Sequence, residues 1–215
     1  MNRSTMKTLG LGAVAGLLCG NALAAPPQAD AAFDAMMVRS FRSEGIATVD
    51  RLKQDAGQQA CSTGKPLPAK LAQRVQAEAL ASVKPPSDGK YLGDWKVGEK
   101  LAQSGKGMTW SDKSAEPSAN GANCYNCHQL TKAEVSFGTI GPSLYQYGKQ
   151  RGVTNPDDPV SAGVVQYTWG KLYNAWSYNA CSNMPRFGHK GLLDEAQLRD
   201  VMALLLDPQS PVNAD

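Results

Sequence analysis

The sequence predicts a mostly α fold. Apolar residues recur at helical spacing in several separate stretches, caps and stops bracket those stretches, and no segment alternates with strand period for more than a few residues. No internal repeat is visible. With 215 residues, 42% of them hydrophobic, the chain can bury the core of one or two small domains, which excludes wholesale disorder and a large multidomain enzyme.

Residues 1–24 read as a secretory signal. Arg3 and Lys7 form the charged start, residues 9–18 a short apolar run, and Ala22-Leu23-Ala24 a small-x-small cleavage site. The apolar run is too short to span a bilayer, and no later segment is long and apolar enough to do so. A lipid anchor on Cys19 requires small residues just before it, but Leu17 and Leu18 stand there, so Cys19 is expected to leave with the signal. The bacterial style of the signal points to the periplasm. The net charge of +3 falls to near neutrality once Arg3 and Lys7 are removed, which argues against binding a nucleic-acid backbone.

Residues 25–89 read as a helical N-terminal extension. Phe33, Met36, Met37 and Phe41 fall at helical spacing, and Ile46, Val49 and Leu52 continue the period. A second helix is expected from about Pro68 to Val83, with Leu71, Val75 and Ala79 on one stripe. Pro85-Pro86-Ser87-Asp88-Gly89 is the strongest punctuation in the chain and places a boundary there, with residues 90–215 as a second domain. The extension holds no polar cluster that suggests chemistry, so its expected job is packing against the second domain or a partner.

In the second domain, Asp94 can cap a helix carrying Val97, Gly98 and Leu101. A Gly/Ser/Asn-rich loop then leads to Cys124-Tyr125-Asn126-Cys127-His128, followed by Gly138-Thr139-Ile140-Gly141-Pro142 and a basic loop ending at Arg151. Aromatic residues crowd the next stretch: Tyr167, Trp169, Tyr173, Trp176 and Tyr178 are expected to wall a pocket or frame a docking face. The terminal helix is fully specified. Asp194 caps it, Gln197 completes the capping box, Leu193 staples onto Leu198, and Pro208 stops it. Leu198, Val201, Met202 and Leu205 make its buried stripe.

Cys124-x-x-Cys127-His128 is the c-type haem attachment pattern. Two thiols three positions apart at a helix start can each add to one porphyrin vinyl group, and His128 then projects its imidazole at the iron. A zinc site would want a second pair of ligands, but Cys61, Cys181 and His189 are scattered singly. A redox-active CxxC would want an α/β context. The opposite iron face needs a sixth ligand, and methionine sulfur raises the potential. Met36, Met37 and Met202 sit at core spacing, and Met108 lies in a loop ahead of the motif. Met184, held by Pro185, is the expected ligand; His189 is the competing imidazole, and an open site the remaining alternative. The expected cofactor is therefore one covalently bound haem c with His128 and Met184 as axial ligands.

Together, CxxCH, a downstream Gly-Pro, a Met-Pro turn and a capped terminal helix resemble a class I cytochrome c domain over about residues 90–207. The resemblance implies that the Pro142 carbonyl accepts the Nδ1 hydrogen of His128, that Gly98 lets two helices cross closely, and that Arg151 (or Lys149) faces a haem propionate. Gly138-Thr139-Ile140-Gly141-Pro142-Ser143-Leu144, the segment 173–179, Met184-Pro185-Arg186-Phe187-Gly188 and the ending 205–213 resemble the SoxX family more narrowly. SoxX is the monohaem subunit of the SoxAX cytochrome. That resemblance implies a heterodimer with a SoxA-type c-type cytochrome, acting as an L-cysteine S-thiosulfotransferase that joins thiosulfate to a cysteine of a sulfur-carrier protein. This subunit would take the electrons and pass them to a soluble cytochrome c without being catalytic itself. The alternative is a free periplasmic electron carrier serving another redox enzyme. The long extension and the cysteines Cys61 and Cys181 depart from the family pattern.

Once Cys124 and Cys127 are given to haem, Cys61 and Cys181 are left over in an oxidising compartment, most simply as one disulfide. Closing so long a loop is worth roughly 4–5 kcal/mol in the chain-entropy model. A reactive thiol at Cys181 is the other reading.

Overall fold

In the computed structural model, which describes residues 31–214, the regular elements are seven α-helices joined by loops and single 3-10 turns. They are α1 (Ala31–Ser40), α2 (Ala56–Cys61), α3 (Ala69–Ala81), α4 (Trp95–Gln103), α5 (Tyr147–Gln150), α6 (Ala162–Tyr173) and α7 (Glu195–Leu206). Among the described residues there is no strand beyond an isolated bridge between Glu44 and Ala47. None of the described helices is long and apolar enough to cross a membrane. The expected signal segment and its cleavage site lie outside the described residues.

The chain divides between Phe41 and Arg42. In the first unit, α1 buries no residue. Phe33, Met36, Val38 and Phe41 are exposed, so Met36 is not the packing residue that its spacing suggests, and Met37 is only half-buried. Nor does the helical period run on to Leu52. Gly45 adopts a positive φ of 53° and turns the chain, and Val49–Leu52 forms a 3-10 turn with both apolar ends exposed.

The second unit is built on α4 and α7. Asp94 caps α4 by accepting from the Lys96 N–H at 2.8 Å, and Asp194 caps α7 with the full capping box to Gln197. The helices cross at Gly98, where a Cβ would collide with the Asp200 carbonyl. Leu198, Val201, Met202, Leu204 and Leu206 are all nearly inaccessible and form the centre of the core with Leu130 and Val212. Burial of such side chains contributes about 1.5–3 kcal/mol each.

Residues 42–89 belong to this same unit, so the Pro-rich stretch at 85–89 is a turn within it and not the boundary read from the sequence. Long-range contacts decide this. The Trp169 indole donates to the Lys84 carbonyl at 2.7 Å, and the Asn174 amide donates to the Ser82 hydroxyl at 3.0 Å. Arg199 pairs with Asp88 and with Glu195. Helix α3 buries Val75 and Ala79 against Trp176 and Ala180 in a second small core.

Candidate functional site

The CxxCH segment is a single 3-10 turn, Cys124–Asn126, and not the start of an α-helix. Asn123 precedes it with φ 50° and ψ 41°, a left-handed conformation that asparagine tolerates better than most residues. The turn is closed by the Cys127 and His128 N–H groups, which both donate to the Cys124 carbonyl, at 3.0 and 2.9 Å.

The segment 138–142 is laced onto this turn. Gly138 N–H donates to the Tyr125 carbonyl at 2.8 Å and Gly141 N–H to the Cys127 carbonyl at 2.9 Å. This brings Pro142 beside the imidazole, and His128 Nδ1 lies 2.7 Å from the Pro142 carbonyl oxygen. A carbonyl can only accept, so Nδ1 carries the hydrogen and Nε2 keeps its lone pair for a ligand. Gly141 is required here because a Cβ would strike the imidazole ring.

A cavity of about 590 Å³ opens beside this turn, within the range of small-molecule and cofactor sites. Cys124, Cys127, His128 and Pro142 contribute to its wall, as do Arg151 after α5, Tyr167, Lys171 and Leu172 of α6, Val201 and Leu205 of α7, and Cys181, Met184 and Phe187 of the following loop. The expected residues Cys124, Cys127, His128, Pro142, Arg151 and Met184 therefore share one cavity. His189 does not line it; it is exposed, and its backbone N–H donates to the Tyr173 carbonyl at 2.9 Å. Met108 and Met202 lie outside the lining as well, and Met202 is fully buried in the core.

Cys124 and Cys127 are both free thiols. Burial pushes the Cys124 thiol up to about 12, with Cys127 beside it adding to the shift, so it is protonated at neutral pH and unlike the low-pKa nucleophile of a redox CxxC. Among the described residues no three His, Cys, Asp or Glu side chains gather in a group fit to hold a bare metal ion. The cavity instead presents two thiols and an imidazole on one turn and a thioether on a separate loop, with apolar walls between. Those are the donors that a cofactor bound in the cavity would meet.

Cys61 and Cys181 form a disulfide with an S–S distance of 2.07 Å and Cα atoms 5.6 Å apart, so Cys181 has no free thiol. Arg151 stacks 3.7 Å over the Tyr147 ring and donates to the Tyr147 carbonyl at 3.1 Å; the Tyr147 hydroxyl is in turn 2.9 Å from Thr168 Oγ1. Sequence reasoning missed Lys171, the single charged residue of α6, which burial holds below its ordinary pKa. Lys171 Nζ donates to the Ala175 carbonyl at 3.3 Å, and neither it nor Arg151 forms an ion pair with a described carboxylate. Of the aromatic stretch, Tyr167 lines the cavity, while Trp169 and Trp176 are core.

No family model matches the chain. It is 39% identical over 163 residues to an uncharacterized lipoprotein of Aquifex aeolicus (strain VF5), a match covering 74% of this chain and 73% of that protein. The chain belongs to the family of that lipoprotein. The relative's name assigns no activity to the family.

Proposed function

We propose that this chain is an exported monohaem c-type cytochrome of the class I fold, and that it serves as the electron-accepting, SoxX-type subunit of a thiosulfate-conjugating complex. The observation that carries the haem reading is the meeting of Cys124, Cys127 and His128 with Met184 around one cavity, with His128 Nδ1 held by the Pro142 carbonyl. Cys124 and Cys127 would carry the thioether links, and His128 and Met184 the axial positions. Arg151 and Lys171 would meet the propionates. When bound, the haem supplies reversible one-electron exchange between ferric and ferrous iron.

The chain's own residues set the conditions for that exchange. Pro142 fixes the imidazole tautomer and ring plane, Leu172, Val201, Leu205 and Phe187 give the cavity apolar wall, and the Met184 thioether would favour the reduced state. Joining thiosulfate to a carrier thiol forms an S–S bond, releases the thiol proton and leaves two electrons, which this subunit would accept one at a time and pass one at a time to a soluble cytochrome c. The narrower SoxX assignment rests on the sequence resemblance.

Intact-mass spectrometry of the exported protein, expressed with a c-type maturation system, tests the cofactor and the processing together. The expected species begins at Ala25 and carries one covalent haem. A chain without covalent haem overturns the cytochrome reading, and a chain beginning at an acylated Cys19, in keeping with the relative's name, overturns the signal cleavage. Oxidised protein should show the sulfur-to-iron band near the red edge, and Met184→Ala should abolish it. Co-purification with a second c-type cytochrome is expected for the complex; a clean monomer instead favours the free electron carrier.

A further inference from the structure

We propose that helix α2 is a clamp on the Met184 loop, with the Cys61–Cys181 disulfide as its latch: opening the latch lets Met184 leave the cavity wall. The inference rests on the reading of Met184 as the axial ligand.

The loop around Met184 has no regular secondary structure, yet it is held on both sides of the methionine by the two ends of one short helix. Asp55 is the N-cap of α2, and its carboxylate accepts from Arg186 at 2.8 Å and from Lys190 at 3.1 Å. Cys61 is the last residue of α2 and bonds Cys181. Cys181 lies just before Met184 and Arg186 just after it, so the rigid length of α2 fixes the span within which the thioether sits. Trp176 supports the same loop from below. The Arg186 guanidinium lies 4.0 Å over its ring, and its indole N–H donates to the Ser182 carbonyl at 3.0 Å. Gly57 of α2 lies flat on that ring, where a Cβ would collide with it. A ligand held within about 0.5 Å of its productive position needs such outer supports. Here the supports come from residues 55–61, far from the haem motif in sequence.

The latch is reachable by a dithiol reductant, because Cys181 is exposed at the cavity rim. In the exchange the S–S bond breaks and Cys61 and Cys181 each gain a hydrogen, while the two thiols of the reductant become a disulfide. Residues 55–61 thereby set whether the Met184 side of the cavity is closed or open to a small exogenous ligand.

The test uses the haem-bearing full-length protein in the ferrous state, where a thiol reductant leaves the iron unchanged. Carbon monoxide affinity is measured before and after dithiothreitol, and again in the Cys61→Ala/Cys181→Ala variant, with circular dichroism reporting the fold. The expected result is an affinity higher by about tenfold or more on opening the latch, since apparent affinity scales with the fraction of open protein. The ferric variant should also lose part of the red-edge band, and Asp55→Ala should add to the loss. If the wild-type protein lacks that band, the axial role of Met184 is overturned and the clamp with it. If the wild type has the band but dithiothreitol leaves carbon monoxide affinity unchanged in folded protein, the clamp alone is overturned.

Discussion

Gly98→Ala separates two opposing effects of known size. In a helix interior the change alone stabilises by about 0.8–1 kcal/mol, because alanine has less backbone freedom to lose. At Gly98, however, the new methyl would enter the backbone carbonyl of Asp200 and lie 3.1 Å from Leu204 Cβ. A backbone carbonyl cannot rotate aside as a side chain does, so α4 and α7 must separate along the principal core contact. Overpacking of this kind costs about 1–3 kcal/mol, and the net expectation is a loss of up to about 2 kcal/mol. For a chain of this size that lowers the melting temperature by up to about 8 °C. Gly163→Ala is the matched control, because Gly163 lies in α6 with nothing near its absent Cβ and should gain up to about 1 kcal/mol. Thermal unfolding of both variants, followed by circular dichroism, decides the matter. If Gly98→Ala melts at or above the wild-type temperature, the close crossing of α4 and α7 does not limit the fold and the packing argument is wrong.

Two further perturbations probe the site and its brace. Burial pushes the Asp55 carboxyl up, but the Gln58 N–H, Arg186 and Lys190 outweigh it and hold the group well below 3.8. A folded pKa below the unfolded one stabilises above the unfolded value and is lost as pH falls toward the folded one; urea midpoints should therefore fall more steeply in acid, below about pH 4, for wild type than for Asp55→Asn. Equal slopes would show that this carboxylate is not held by its partners. Gly141→Ala drives a methyl into the His128 ring and should sharply reduce haem incorporation, read by haem staining at equal protein; full incorporation would contradict the packing of the ring against Gly141.

Local signals were legible in the chain and tertiary ones were not. The caps of α7, Asp194 with Gln197 and the stop before Pro208, depend on residues within one turn, and the helix runs Glu195–Leu206 as those residues require. Cys124, Cys127, His128 and Met184, singled out by motif and by position, do line one cavity. The domain boundary was not, because Pro85–Gly89 punctuates locally while membership of a unit is set by partners distant in sequence, such as Asp55 with Arg186 and Trp169 with Lys84. Periodicity overran α1 for the same reason: it registers Ile46 and Val49 but not the chain reversal at Gly45. Lys171 was invisible because the sequence alone does not fix which face of α6 meets the cavity.

The arrangement of cysteines links the extension to the site. Four thiols outside residues 1–24 allow three fully paired connectivities, and Cys61 with Cys181 can be joined while Cys124 and Cys127 stay free for another use. The fold builds that arrangement, with Cys61 bonded to Cys181 and the CxxC pair free. Its source is the geometry of α2: Asp55 docks on Arg186 and Lys190, Gly57 rests on Trp176, and the last residue of the helix is thereby carried to Cys181 at the rim. The 120-residue loop this closes contributes roughly 4–5 kcal/mol in the chain-entropy model. The same bond occupies the two thiols that could otherwise compete with Cys124 and Cys127 for pairing. A segment without chemistry of its own thus keeps the cysteines of the site unpaired and holds the loop that carries Met184.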